Sequence, residues 1–176
     1  MLCQDARCIP QRGMTLLEAM ITLVIIAVLL AVATPGMVNM MRDLRRDTVL
    51  SELVADLSQS RSGAVRRGQR VVICPSIAGS CAGVGAWHQG WIAFVDSNGD
   101  GELDAMDTLL RRRGPADNDL TALGSRPRIV YQAAGFAIGY TDTIRFCDDR
   151  GSAAARAVVI SNNGRVRVIN AGVVCP

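Results

Sequence analysis

The sequence predicts an α+β chain: a long N-terminal helix whose first half spans a membrane, packed on a β-rich, antiparallel, sandwich-like head. Three observations predict it. An uninterrupted apolar run fills residues 14–34, a three-and-four-residue apolar rhythm continues to about residue 66, and short β-branched or aromatic runs between turn residues fill the rest. With 176 residues there is room for one domain plus an elongated appendage.

The apolar run MTLLEAMITLVIIAVLLAVAT, from Met14 to Thr34, would extend about 31 Å as a helix, the thickness of a bilayer's hydrocarbon core. Arg7 and Arg12 precede it, so the positive-inside rule keeps the N-terminus cytoplasmic and sends the head outward. Three readings compete: a plain signal anchor, a cleaved secretory signal ending near Ala31-Val32-Ala33, and a signal cut at Gly13. Glu18 favours the third. A carboxylate inside an apolar run is costly and usually marks function, here the pairing with a neighbouring subunit's new terminal amine after cleavage.

Past Pro35 the positions Met37, Met40, Met41, Leu44, Leu50, Leu53, Val54, Leu57, Ala64 and Val65 keep one face apolar, while Arg42, Arg45, Arg46 and Glu52 occupy others. The combined helix would run about 53 residues, roughly 80 Å, and stop at Arg67-Gly68. Beyond it, strands are expected near 70–74, 90–95, 108–112, 128–132, 143–147, 157–161 and 165–169. Asn162-Asn163-Gly164 turns the last pair. The organisation expected is therefore a leader over 1–13, a helix over 14–67 with its transmembrane part at 14–34, and a head over 68–176.

Cys3 and Cys8 lie in the leader, leaving Cys74, Cys81, Cys147 and Cys175, which allow three pairings in an exported head. The reading favoured is Cys74 with Cys81, closing a Ser/Gly-rich loop, and Cys147 with Cys175, pinning the C-terminus to a strand. A zinc site is disfavoured because Cys147 and Cys175 have no near neighbour of their type.

Composition argues against an enzyme. There is one histidine, His88, and neither Ser76 nor Ser80 has a nucleophile-elbow setting. The net charge is +3, from 19 arginines and no lysine against 16 acids, so any nucleic-acid contact must be local. Two constellations stand out. Asp96, Asn98, Asp100, Asp104 and Asp107 have the spacing of a calcium loop, with aspartate in place of the usual terminal glutamate and without flanking helices; the plain alternative is a solvated turn. Arg165 and Arg167 alternate with Val166 and Val168, which puts both guanidinium groups on one strand face about 6.6 Å apart and the valines in the core. Two fixed cations so spaced can hold successive phosphates, through contacts without base specificity; the alternative is an ordinary solvated edge strand.

Gly13 followed by Met14-Thr15-Leu16-Leu17-Glu18 resembles the type IV prepilin signal. That resemblance implies cleavage after Gly13 by a prepilin peptidase, N-methylation of Met14, and an assembly role for Glu18, the fifth mature residue. The run Trp87-His-Gln-Gly-Trp91, the acidic turn after it and Gly164-Arg165-Val166-Arg167 resemble the GspH/FimT family of minor pilins and type II secretion pseudopilins. This implies a type IV pilin-like fold and a single-pass subunit of the bacterial inner membrane with a periplasmic head. It would then be incorporated with other pilins or pseudopilins into a pilus or pseudopilus, without a required cofactor. Gly-Arg-x-Arg is the motif of FimT-type minor pilins associated with DNA binding in natural transformation. The alternative implied is a GspH-like minor pseudopilin without nucleic-acid affinity.

Overall fold

The computed structural model describes residues 13–83, 85–116 and 119–175, the side chains of 33–35 excepted. Residues 1–12 of the leader, with Cys3 and Cys8, lie outside them. One helix, α1 (Leu16–Arg67), takes up the apolar run and the rhythm behind it. Thr15 starts it: its Oγ1 accepts the backbone N–H of Glu18 at 3.2 Å, the Thr-x-x-Glu signature of a helix N-terminus. Gly68 ends it at φ +64°, with the Gln69 N–H reaching back to the Ala64 carbonyl at 3.3 Å in a Schellman-type closure.

The chain divides into two compact units, residues 1–42 and 43–176. In the first, the large apolar side chains from Met14 to Val32 are all exposed, as a segment made for lipid or for neighbouring helices requires.

Among the described residues the second unit holds nine strands: β1 (Val71–Ile77), β2 (Ser80–Cys81), β3 (Trp91–Val95), β4 (Thr108–Arg113), β5 (Thr121–Leu123), β6 (Ile129–Tyr131), β7 (Asp142–Cys147), β8 (Arg156–Ile160) and β9 (Val166–Ile169). They form two antiparallel sheets. The first has the order β2-β1-β3-β4 with β6 also paired to β1, and the second the order β5-β7-β8-β9. The period of two along each strand sorts side chains between layers. Val71, Ile73, Trp91, Ala93, Ile129 and Tyr131 from the first sheet meet Ile144, Phe146, Val158 and Ile160 from the second. Val49, Leu50, Leu53 and Leu57 of α1 complete this one core. Leu53 and Leu57 are fully buried, so truncating either to alanine would cost roughly 2–5 kcal/mol. The alternate residues Val72, Cys74, Ile92, Phe94 and Val130 form a smaller cluster on the outer face of the first sheet, covered by Leu103 and Tyr140.

The observed strands follow the expected ones to within a few residues, with two additions. β2 and β5 are too short to carry a readable pattern and are held by their neighbours. Two disulfides staple the unit, Cys74–Cys81 and Cys147–Cys175, closing loops of 7 and 28 residues. By loop length they contribute about 2.5 and 3.5 kcal/mol respectively.

Candidate nucleic-acid interface

The turn from β8 to β9 closes tightly: the Gly164 N–H donates to the Ser161 carbonyl at 2.8 Å and the Ser161 N–H to the Arg165 carbonyl at 3.0 Å. Gly164 is buried at φ +73°, and a Cβ there would fall 2.2 Å from the Gly135 carbonyl oxygen. Glycine in the Gly-Arg-x-Arg run is thus demanded by backbone packing. The same Gly135 oxygen accepts the Nε–H of Arg61 at 3.0 Å. In this way α1 delivers a third guanidinium beside the strand.

Arg61, Arg165 and Arg167 line one groove of about 730 Å³, together with Ser58 and Ser62 of α1 and Ser161 and Asn163 of the turn. No acidic side chain lines it, and among the described residues none of the three arginines has an ion-pair partner. Three unneutralised cations with hydroxyl and amide donors between them are the chemistry of an anion site. Arg165 and Arg167 are both exposed, and Val159, opposite Arg167 on β8, supplies the groove floor. The expectation for the intervening valines needs one correction. Val166 packs against the main core, whereas Val168 is 41% exposed, because β9 is the last strand of its sheet and has a paired neighbour on one side only.

Nothing in the sequence alone singles out Arg61. On α1 it sits one turn past Leu57, and only the approach of Gly135 and Gly164 brings it to Arg165. Four other arginines are engaged away from this groove. Arg70 reaches Asp96 at 3.2 Å, Arg113 pairs with Glu52 at 2.7 Å and lies over the Trp91 ring at 4.9 Å, and Arg112 sits beside Gly79. Arg111 pairs with the buried Asp56 at 3.1 Å, whose other oxygen accepts the Trp91 indole N–H at 2.7 Å.

The acidic loop after β3 is closed by its own groups. Asp96 accepts the Gly99 N–H at 2.7 Å and Asp107 the Ser97 N–H at 2.9 Å. The Asn98 amide nitrogen donates to both Asp100 and Asp104 at 2.8 Å, so a donor stands between the two carboxylates. Arg128 ties the loop down through Gly101 and Glu102, and Leu103 lies over the outer cluster. Among the described residues no group of three or more His, Cys, Asp or Glu side chains is arranged to hold a metal ion. His88 lies in a short 3-10 turn, half-buried, with Nδ1 3.3 Å from the Ala122 carbonyl oxygen.

At the other end of the chain, Gly13 and Met14 are exposed ahead of the helix, and Glu18 is exposed within its first turn. The Glu18 carboxylate has no ion-pair partner among the described residues.

Comparison with known proteins agrees with this layout. Residues 10–34 match the prokaryotic N-terminal methylation motif, and residues 50–164 match the family described as Type II transport protein GspH. No curated protein matches the sequence. Among solved structures, the chain is similar to the type IV minor pilin FimU of Pseudomonas aeruginosa, with 22% identity and a TM-score of 0.58. That match covers 73% of this chain and 91% of FimU. It is also similar to the minor pseudopilin EpsH of the Vibrio cholerae type 2 secretion system, with 11% identity and a TM-score of 0.51, over 69% of this chain and 94% of EpsH. A methylation motif at the head of a long apolar helix, joined to two antiparallel sheets of the pilin type, identifies the chain as a member of the GspH family of minor pilins and pseudopilins.

Proposed function

We propose that this subunit belongs to a type IV pilus and binds duplex DNA without sequence preference through Arg165 and Arg167. On this reading a prepilin peptidase removes residues 1–13, Met14 is N-methylated, 14–34 anchors the chain in the inner membrane, and the head over 68–176 is periplasmic before assembly with other pilins. The exposed apolar surface of the first unit supports anchoring and later helix packing. The observation that carries the DNA reading is the groove in which Arg61, Arg165 and Arg167 converge with no carboxylate among them. Phosphate contacts of this kind act on any sequence, and their strength falls with salt by about 0.9 log units per log unit of salt for each phosphate neutralised.

Equilibrium binding of mixed-sequence duplex to the mature chain in neutral nanodiscs tests it. Arg165→Gln together with Arg167→Gln should reduce the salt slope by about two units and weaken every duplex alike. Equal affinity in wild type and variant would remove the site. No affinity in either at low salt would favour the secretion pseudopilin, for which the groove has no such ligand.

A further inference from the structure

On the other flank of α1 lies a second basic groove, of about 340 Å³, lined by Arg66, Arg67 and Arg111 with Gln59, Ser60 and Gly63. Its one carboxylate, Asp56, is buried and already holds Trp91 and Arg111. Arg66 and Arg67 are exposed and without an ion-pair partner among the described residues. The two grooves share a wall. Ser58, Arg61 and Ser62 face the first, and at about 100° per residue Gln59, Gly63 and Arg67 turn to the other side of the same helix. The surface between them, with Ala55, Ser58, Gln59 and Ser62 exposed, is small and uncharged, so nothing there repels a polyanion. A helix with its side chains is about 10–12 Å across, close to the roughly 12 Å width of the DNA major groove. Two rows of phosphates can therefore straddle α1, one on each side; a single strand has only one row to offer.

We propose that Arg66 and Arg67, with Arg111 behind them, form a second phosphate site that takes the opposite strand of a duplex held at Arg165 and Arg167. The proposal rests on the DNA reading above, and its test separates the two. Binding of a duplex and of one of its strands is measured over a salt series, with the mature chain in phosphatidylcholine nanodiscs.

Arg66→Gln with Arg67→Gln should lower the duplex salt slope by about 1.8 and leave single-strand affinity within about twofold, whereas Arg165→Gln with Arg167→Gln should weaken both ligands. If the double change at the helix end impairs folding, judged by circular dichroism, Arg67→Gln alone should lower the duplex slope by about 0.9. An unchanged duplex slope overturns the second site while leaving the first in place. Equal losses on duplex and single strand overturn it too, because one strand would then be running through both grooves. A variant unchanged on DNA but weakened on phosphatidylglycerol nanodiscs assigns the groove to lipid headgroups and overturns it. No DNA affinity in the wild type overturns both readings.

Discussion

Gly164 and Gly135 touch so closely that a Cβ on Gly164 would lie 2.2 Å from the Gly135 oxygen, and that oxygen is the one that holds Arg61 at 3.0 Å. Two backbone segments far apart in sequence thereby set the position of a side chain from a third. Gly164→Ala should therefore cost about 2–4 kcal/mol, from the left-handed backbone and the clash together. It should also weaken DNA binding although Arg165 and Arg167 remain. Thermal melting and duplex binding check this; a variant with unchanged melting and affinity would show that the contact positions nothing.

A charge network joins the helix to the turn after β7. Arg150 donates to Asp148 at 2.6 Å and to Asp43 at 2.8 Å, while the buried Arg46 bonds Asp43 at 2.9 Å and the Ala154 carbonyl at 2.6 Å. The Arg150 guanidinium, through its hydrogen bonds, holds the carboxyls of Asp148 and Asp43 below their ordinary value near 3.8. A lowered native pKa means stability that is fully present above that ordinary value and is lost as pH falls through the native one. The midpoint of unfolding should therefore drop between about pH 4 and the lowered native values, and Asp148→Asn should flatten that drop. The same change should cost about 1.5–3 kcal/mol at neutral pH, because Asp148 is the less exposed partner of the pair. A denaturant series at several pH values reads both effects; an unaltered acid limb would exclude the network as its source.

Glu18 engages its helix through its backbone N–H and Thr15, so Glu18→Ala should leave the cap and the fold intact. Assembly should suffer instead, since the carboxylate is proposed to neutralise a neighbour's terminal amine in an apolar setting. Membrane insertion should be normal and recovery in sheared filaments strongly reduced. Wild-type recovery would show the carboxylate dispensable.

The parts legible in the sequence are those whose signals are local. The apolar run, the rhythm on α1 and the Gly68 stop each arise between near neighbours along one helix, and the β-branched strands have a period of two. Illegible parts depend on pairing across the fold. β5, Thr-Ala-Leu, is a strand only because Cys147, Phe146 and Arg145 lie opposite it. Arg111, Arg112 and Arg113 look like one basic cluster in sequence, yet they go to Asp56, to the neighbourhood of Gly79 and to Glu52. Arg61 enters the groove through Gly135, a contact 74 residues away. The alternation of Arg165 and Arg167 was readable, but the exposure of Val168 depended on β9 being an edge.

The central claim, a pilin-type subunit processed at Gly13, is tested most directly by the intact mass of the protein extracted from membranes. The account predicts a 163-residue chain (176 less the 13 of the leader) that begins with N-methylated Met14. A chain beginning at Thr34, or one retaining the leader in cells with an active prepilin peptidase, would contradict it.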